Sequence, residues 1–284
     1  MIRGTVSGTR RATLVVAAPV LAVLLVVVTG LGATALQSLG LMPLTGAPRL
    51  SFAAYTDEHG ELLTATGLSL LIAAGSTALA AVMGMVSAVV AMGSPRARRM
   101  LTALVTATVP VPHLVGAASV GLLLADGGLL SRWLGDSPGT WPSLVAGRWP
   151  TAVVLEYAWK ESAFIALVVT ATLATRLTGY HEAAALLGAG SRARFRHVTL
   201  PLATPALGLA SAITFVYTLG SYEVAWLLGP AYPEPLPVMA YRLFTSTDLA
   251  TRPEAMAMAM TTDALAGAAA LAALALVRRT AAWR

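Results

Sequence analysis

No cysteine occurs among the 284 residues, and only 11% of them are Asp, Glu, Lys or Arg. The first absence excludes a disulfide framework and any thiolate-ligated metal site. The second excludes an ordinary soluble domain, in which about a quarter of residues are charged. Lysine is nearly missing as well: Lys160 stands alone, so the net charge of +6 is an arginine charge. No segment reads G-x-x-x-x-G-K-[ST], so the chain has no phosphate-cradling loop with which to hydrolyse ATP. No motif sets a nucleophile beside a base, which argues against an intramembrane enzyme. No half of the chain matches the other, which argues against a secondary transporter built from repeats.

What fills the sequence instead is apolar: 57% of residues are hydrophobic, with a mean hydropathy of +0.74. Six stretches reach the roughly 20 residues that a spanning helix needs, at 12–32, 66–92, 101–125, 151–173, 202–228 and 254–277. They predict an all-α membrane protein with six transmembrane helices: a membrane domain over 12–278 between short segments 1–11 and 279–284. The first stretch imitates a signal sequence, with Arg10 and Arg11 before it and Ala33-Thr34-Ala35 after it. It exceeds the 7–15 apolar residues of a signal core, so it reads as a retained span.

Arginine placement sets the orientation. With the N-terminus inside, the inner segments hold Arg3, Arg10, Arg11, Arg96, Arg98, Arg99, Arg176, Arg192, Arg194, Arg196, Arg278, Arg279 and Arg284. The outer segments hold only Arg49, Arg132, Arg148, Arg242 and Arg252. This is the positive-inside pattern, with both termini cytoplasmic. The basic balance is thus a topology signal and does not point to nucleic acid.

One inner segment stands out: residues 181–201, HEAAALLGAGSRARFRHVTLP. Glu182-Ala-Ala-Ala-Leu-Leu is a strong helix former, with Glu182 expected near the helix start. Gly188 and Gly190 are expected to end it, and Ser191 to cap a second short helix. Pro201 suits the entry to the fifth span, where a missing N–H costs little. Such a short apolar helix must bury against something, either the bundle and headgroups or another protein.

The spacing resembles a specific pattern. Glu182-Ala183-Ala184, three residues, Gly188, nine residues, then Val198-Thr-Leu200-Pro201 resembles the EAA signature of permeases in binding-protein-dependent ABC importers, with Val for the usual Ile. The segments Val109-Pro-Val-Pro-His-Leu-Val-Gly, Trp159-Lys-Glu161 and Gly220-Ser-Tyr-Glu223 are similar to the same group, and the resemblance covers most of 60–278. It implies the type I importer permease fold, with loop 178–201 as a coupling helix docking into an ATPase subunit through Glu182, Ala183, Ala184, Leu187, Gly188 and Pro201. It implies an ABC ATPase dimer that binds ATP and Mg, a second permease, identical or different, and an extracytoplasmic binding protein. This chain would be a transport subunit without a cofactor of its own, in the bacterial inner membrane. Arg192, Arg194 and Arg196 then rim the docking surface, facing acidic groups or anionic lipid, or serve topology alone.

Charges inside the spans ask for a partner or a cavity. Glu156 and Lys160 are four apart on the fourth span, in the order that favours a bridge. Glu161 is left for a partner subunit or a wet path. Pro110 and Pro112 break the third span where backbone can line a cavity, and His113 follows, either beside the path or as a satisfied buried group. Pro110, His113, Glu161, Glu223 and Asp263 are the candidate substrate path. Its acids, and the likeness of Gly220-Ser-Tyr-Glu-Val and Leu236-Pro-Val-Met-Ala-Tyr to polyamine-type permeases, lean towards a polyamine or another small organic cation. A sugar, phosphonate, sulfate or molybdate, iron, and an ATP-independent secondary transporter stand as alternatives. Loop 230–237 is Pro-rich and expected to be stiff and non-helical. Trp133, Trp141 and Trp149 fit an interfacial belt. Met256, Met258 and Met260 alternate, so they do not share one helix face and make no metal stripe.

Overall fold

The computed structural model describes residues 5–57, 59–135, 139–174 and 177–281. Arg3, Arg176 and Arg284 of the orientation argument lie outside them. Among the described residues five helical stretches are long and apolar enough to cross a bilayer. They are Ala17–Ser38, His59–Gly93, His113–Trp133, Ser191–Gly220 and Leu249–Leu276, and Thr151–Ala174 with Leu177–Leu186 makes a sixth as a bent pair.

The expected spans are all helical, with one correction. The third is broken at its two prolines, as expected, into Pro95–Thr108 and His113–Leu124, parted by residues 109–112. The first of these starts at Ser94, whose side chain accepts from the Ala97 amide, and it carries Arg96, Arg98 and Arg99. The fifth is also broken: Leu200–Gly220 stops at an extended Ser221, and Glu223–Leu228 begins afresh. Its apolar composition hid that break. The Pro-rich loop expected over 230–237 is shorter than that, because its last two residues already belong to a helix that was not expected, Leu236–Phe244.

The chain divides into two compact units, Gly60–Met239 with Thr261–Arg284, and Met1–His59 with Ala240–Met260. In the larger unit Thr151–Ala174 is the central helix, with buried residues along one side from Ala152 to Leu173. One end packs with Ile72, Ala117, Leu124, Val224, Leu228 and Val238. The other end, Ile165, Val169 and Leu173, packs with Ala80, Met85, Ala88, Ala203 and Ala210. Helix His59–Gly93 buries a small-residue stripe, Ala65, Ser69, Ala73, Ser76, Ala80, Gly84 and Ala88, and meets the central helix at Gly75 and Gly84. Small residues let helix backbones approach closely where no water drives association. At Gly84 a Cβ would lie 2.6 Å from Ile165 Cγ2, so only glycine fits. Ser69 Oγ accepts the buried Leu236 amide at 2.8 Å, which satisfies the start of the unexpected helix.

In the smaller unit, Gly40 has φ +69° and turns the chain after helix Thr5–Ser38. The Arg49 amide donates to the Gly40 carbonyl at 3.0 Å, and Tyr55 Oη donates to Ser38 Oγ at 2.9 Å. The Arg252 guanidinium stacks 4.1 Å from the Phe244 ring centre. Within the span Ala17–Ser38 only Ser38, at its end, is buried in the chain itself.

Candidate functional site

The break in the third span builds the first site. Pro112 has no N–H, so the Thr108 carbonyl loses its helical partner and keeps only a 3.2 Å turn bond from the Val111 amide, while the Val111 carbonyl lies before the new helix start. Lys160 Nζ donates to both, to Thr108 O at 2.8 Å and to Val111 O. This corrects the expected Glu156–Lys160 bridge. The lysine is committed to carbonyls about fifty residues away in sequence, and no ion pair joins it to Glu156.

Glu156 and Glu161 converge instead on His113, the first residue of the second half-helix. Its Nδ1 lies 3.3 Å from Glu156 Oε1 and 3.5 Å from Oε2, and its Nε2 lies 3.4 Å from Glu161 Oε1. Thr214 Oγ1 donates to Glu161 Oε2 at 3.2 Å. Glu161 is therefore not a leftover acid but part of a buried cluster. The imidazole also faces two rings, Tyr217 at 5.1 Å and Tyr157 at 5.7 Å between centroids. Glu156 is fully buried, and Gly116 leaves the space for it, since a Cβ there would lie 2.6 Å from Glu156 Oε1.

Of the candidate path residues, the structure brings His113 and Glu161 together. Pro110 sits exposed in the break itself. Glu223 and Asp263 are exposed outside the cluster, at the start of Glu223–Leu228 and within Arg252–Ala281. Sequence reasoning missed Tyr157, Thr214, Tyr217 and Gly116. Thr214 and Tyr217 carried a weak signal, being polar groups three apart on one face of a mostly apolar run.

The second site is the inner loop. Helix Leu177–Leu186 ends in a turn in which Gly188 has φ +82°, as expected of a glycine stop. The Ala189 amide donates to the Ala184 carbonyl at 3.0 Å and the Gly188 amide to the Ala185 carbonyl at 2.9 Å. Two details differ from expectation. Glu182 lies in the middle of its helix because the helix begins five residues earlier, at Leu177. Gly190, not Ser191, occupies the next N-cap, and no side chain caps it. That second helix runs on through a wider π turn, Phe195–Thr199, into the fifth span, with Pro201 in its first turn. His181 Nε2 and Thr199 Oγ1, 2.9 Å apart, tie the two arms together. Glu182, Ala183, Leu187 and Gly188 are exposed, Ala184 half-buried. At the tip Leu186 and Leu187 are 90% and 88% exposed. Between the arms lies a cleft of about 450 Å³ lined by Met92, His181, Glu182, Arg194 and Thr199.

Residues 80–280 match the family described as the binding-protein-dependent transport system inner membrane component. The chain belongs to this family. It is a permease subunit of an ABC importer, a multi-pass inner-membrane protein that transports and leaves ATP hydrolysis to a separate ATPase subunit. It is 29% identical over 212 residues to the putrescine transport system permease protein PotI of Escherichia coli, covering 72% of this chain and 70% of that one. It is 27% identical over 157 residues to the trehalose/maltose transport system permease protein MalF of Thermococcus litoralis, covering 54% and 53% of the two chains. Its fold is similar to that of a bacterial ABC transporter involved in import of the acidic polysaccharide alginate. That match has a TM-score of 0.73 at 18% identity and covers 96% of this chain and 98% of that one.

Proposed function

We propose that this permease subunit moves a polyamine or a related small organic cation inward, and that loop 178–201 couples it to the ATPase. The coupling reading is carried by one observation: the EAA-spaced loop ends in a glycine turn that presents Leu186 and Leu187 almost wholly bare. Two adjacent exposed leucines at the end of a short inner helix form the kind of apolar patch that marks an interaction site. Glu182, Ala183, Ala184, Leu187 and Gly188 make the docking face, and Pro201 fixes where the loop re-enters the membrane. Residues 1–11 and 279–284 lie in the cytoplasm, flanking the six-span domain 12–278. The working assembly is an ABC ATPase dimer, this chain with a second permease, and an external binding protein.

The cationic substrate is supported by Glu156 and Glu161, two acids held at the break of the third span, and by the likeness to a putrescine permease. Pro110, His113 and Glu161 line the path; Glu223 and Asp263 flank it. The likeness to a trehalose/maltose permease supports a sugar as the second reading. The test is uptake in proteoliposomes holding the purified complex and its binding protein. Radiolabelled putrescine is expected to accumulate on ATP addition, and accumulation of maltose or trehalose instead would overturn the cationic reading.

A further inference from the structure

His113 is placed as a ligand is placed. One carboxylate faces each ring nitrogen, at 3.3 Å and 3.4 Å, and two tyrosine rings flank the imidazole with centroids within 6 Å. Carboxylates plus aromatic faces are the groups that recognise an organic cation. A neutral imidazole has one N–H donor and one lone pair, so it serves one carboxylate and repels the other; an imidazolium serves both. Charge balance agrees. Glu156, Glu161 and Lys160 together sum to one negative charge, and a bare charge within a span costs from about 2.5 kcal/mol upward. An imidazolium brings the cluster to zero. The groups facing the ring come from Thr151–Ala174 (Glu156, Tyr157 and Glu161, with Lys160 nearby) and from Leu200–Gly220 (Tyr217).

The cage also keeps an unfilled acceptor. Glu156 Oε2 is in hydrogen-bonding position to Nδ1, while the buried Oε1, 3.3 Å from the same nitrogen, is close enough for an ion pair but makes no aligned hydrogen bond. The cluster is not sealed: the His113 and Glu161 side chains are 18% and 13% exposed, and Tyr217 is 41% exposed.

We propose that His113 is an imidazolium acting as the chain's own ligand in a cation cage, and that an ammonium group of the transported solute takes its place there. The first half stands on the cluster alone; the exchange rests on the cationic reading above. In this exchange no bond is made or broken. The histidine side chain swings out with its proton and returns when the solute leaves, so the empty carrier is never left with paired bare acids.

The test has two arms on the assembled permease–ATPase complex. In a chain with His59, His181 and His197 replaced by Gln, labelled with ¹⁵N-histidine by itself and reassembled with unlabelled partners, solid-state NMR reads His113 alone. Both ring nitrogens are expected to be protonated at pH 7.5. A neutral ring, with the proton on Glu156 or Glu161 instead, overturns the first half whatever the substrate. In the second arm, putrescine binding is measured without the binding protein. Removing the built-in competitor by His113→Gln is expected to tighten binding about tenfold, and His113→Lys, a fixed cation, to weaken it. Unchanged or weaker binding in His113→Gln overturns the exchange. If the complex binds no diamine but transports another solute, the cationic reading falls with the exchange, while the NMR result still decides the imidazolium. The NMR arm needs no substitution at position 113, so it holds even where His113→Gln fails to assemble.

Discussion

Lys160 Nζ lies 2.8 Å from the Thr108 carbonyl oxygen, the acceptor that Pro112 leaves without its amide. One ammonium thus closes a hydrogen-bond gap in a helix that its own helix packs against, and Lys160 is buried while doing so. Lys160→Met removes the donor and leaves the acids of the cluster short of positive charge. Breaking one side of such a buried arrangement costs about 3 kcal/mol or more. The expected result is a clear drop in the thermal midpoint of the detergent-purified complex, followed by tryptophan fluorescence. Lys160→Arg keeps the charge and is expected to recover part of it. A Met variant as stable as the parent would show that the carbonyls are satisfied some other way.

Gly116 carries the next prediction. A Cβ at that position would sit 2.6 Å from Glu156 Oε1, whereas one at Gly121 would meet only Leu228 Cδ2 at 3.1 Å. A flexible leucine end turns aside; a carboxylate fixed against His113 does not. Overpacking of this kind costs about 1–3 kcal/mol. Gly116→Ala is therefore expected to cut uptake about tenfold or more, and Gly121→Ala about twofold at most. Shortening the acid by one methylene in Gly116→Ala/Glu156→Asp is expected to restore part of the loss. Equal uptake by the two single variants would refute this packing argument.

The contrast between these two sites explains what was legible in the sequence. Span positions followed from long apolar runs, and the break at 109–112 followed from two prolines, because both are local properties. The partner of Lys160 was not local. The i, i+4 spacing of Glu156 and Lys160 favours a bridge on an isolated helix, but it carries no information about carbonyls freed on a neighbouring helix. Once those took the lysine, Glu156 turned to His113, and Glu161 followed from the other side. The second break, at Ser221–Tyr222, was equally hidden, since neither residue is a helix breaker by type. The inner loop was read more fully because glycine spacing is a backbone signal, and Gly188 does adopt the left-handed angle that the motif requires. Its helix start was misplaced because Leu177–His181 continues the helical pattern upstream of Glu182.

The acids of the membrane domain are expected to divide into two groups. Glu161 sits in the cluster, held by Thr214 and facing His113. Asp263 is exposed and has no place in it. Glu161→Gln removes a charge-assisted interaction of about 1.5–3 kcal/mol, roughly a tenfold to hundredfold effect. Putrescine uptake by that variant is expected to fall by such a factor, against less than about threefold for Asp263→Asn. The reverse ranking would move the path away from the broken span towards the Asp263 helix.

The coupling face gives the last prediction, because it separates docking from folding. Leu186 and Leu187 are almost fully exposed, so Leu186→Asp/Leu187→Asp removes little packing within this chain and its thermal midpoint is expected to hold. Surface changes away from packed features cost about 0.5 kcal/mol or less. Docking is a different matter, since under the coupling proposal two carboxylates would replace the apolar tip that meets the ATPase. The ATPase is expected to stop co-purifying, and ATP-driven uptake to fall at least about tenfold. Gly188 tests the shape of the same surface without touching its chemistry. Its φ of +82° suits glycine, is tolerated by Asn and strains a β-branched side chain. Gly188→Asn is therefore expected to keep coupling and Gly188→Val to lose it. If the double Asp variant still binds the ATPase, the two leucines face lipid or the bundle instead, and the docking face must be sought on the neighbouring arm, at Arg192 and Arg196.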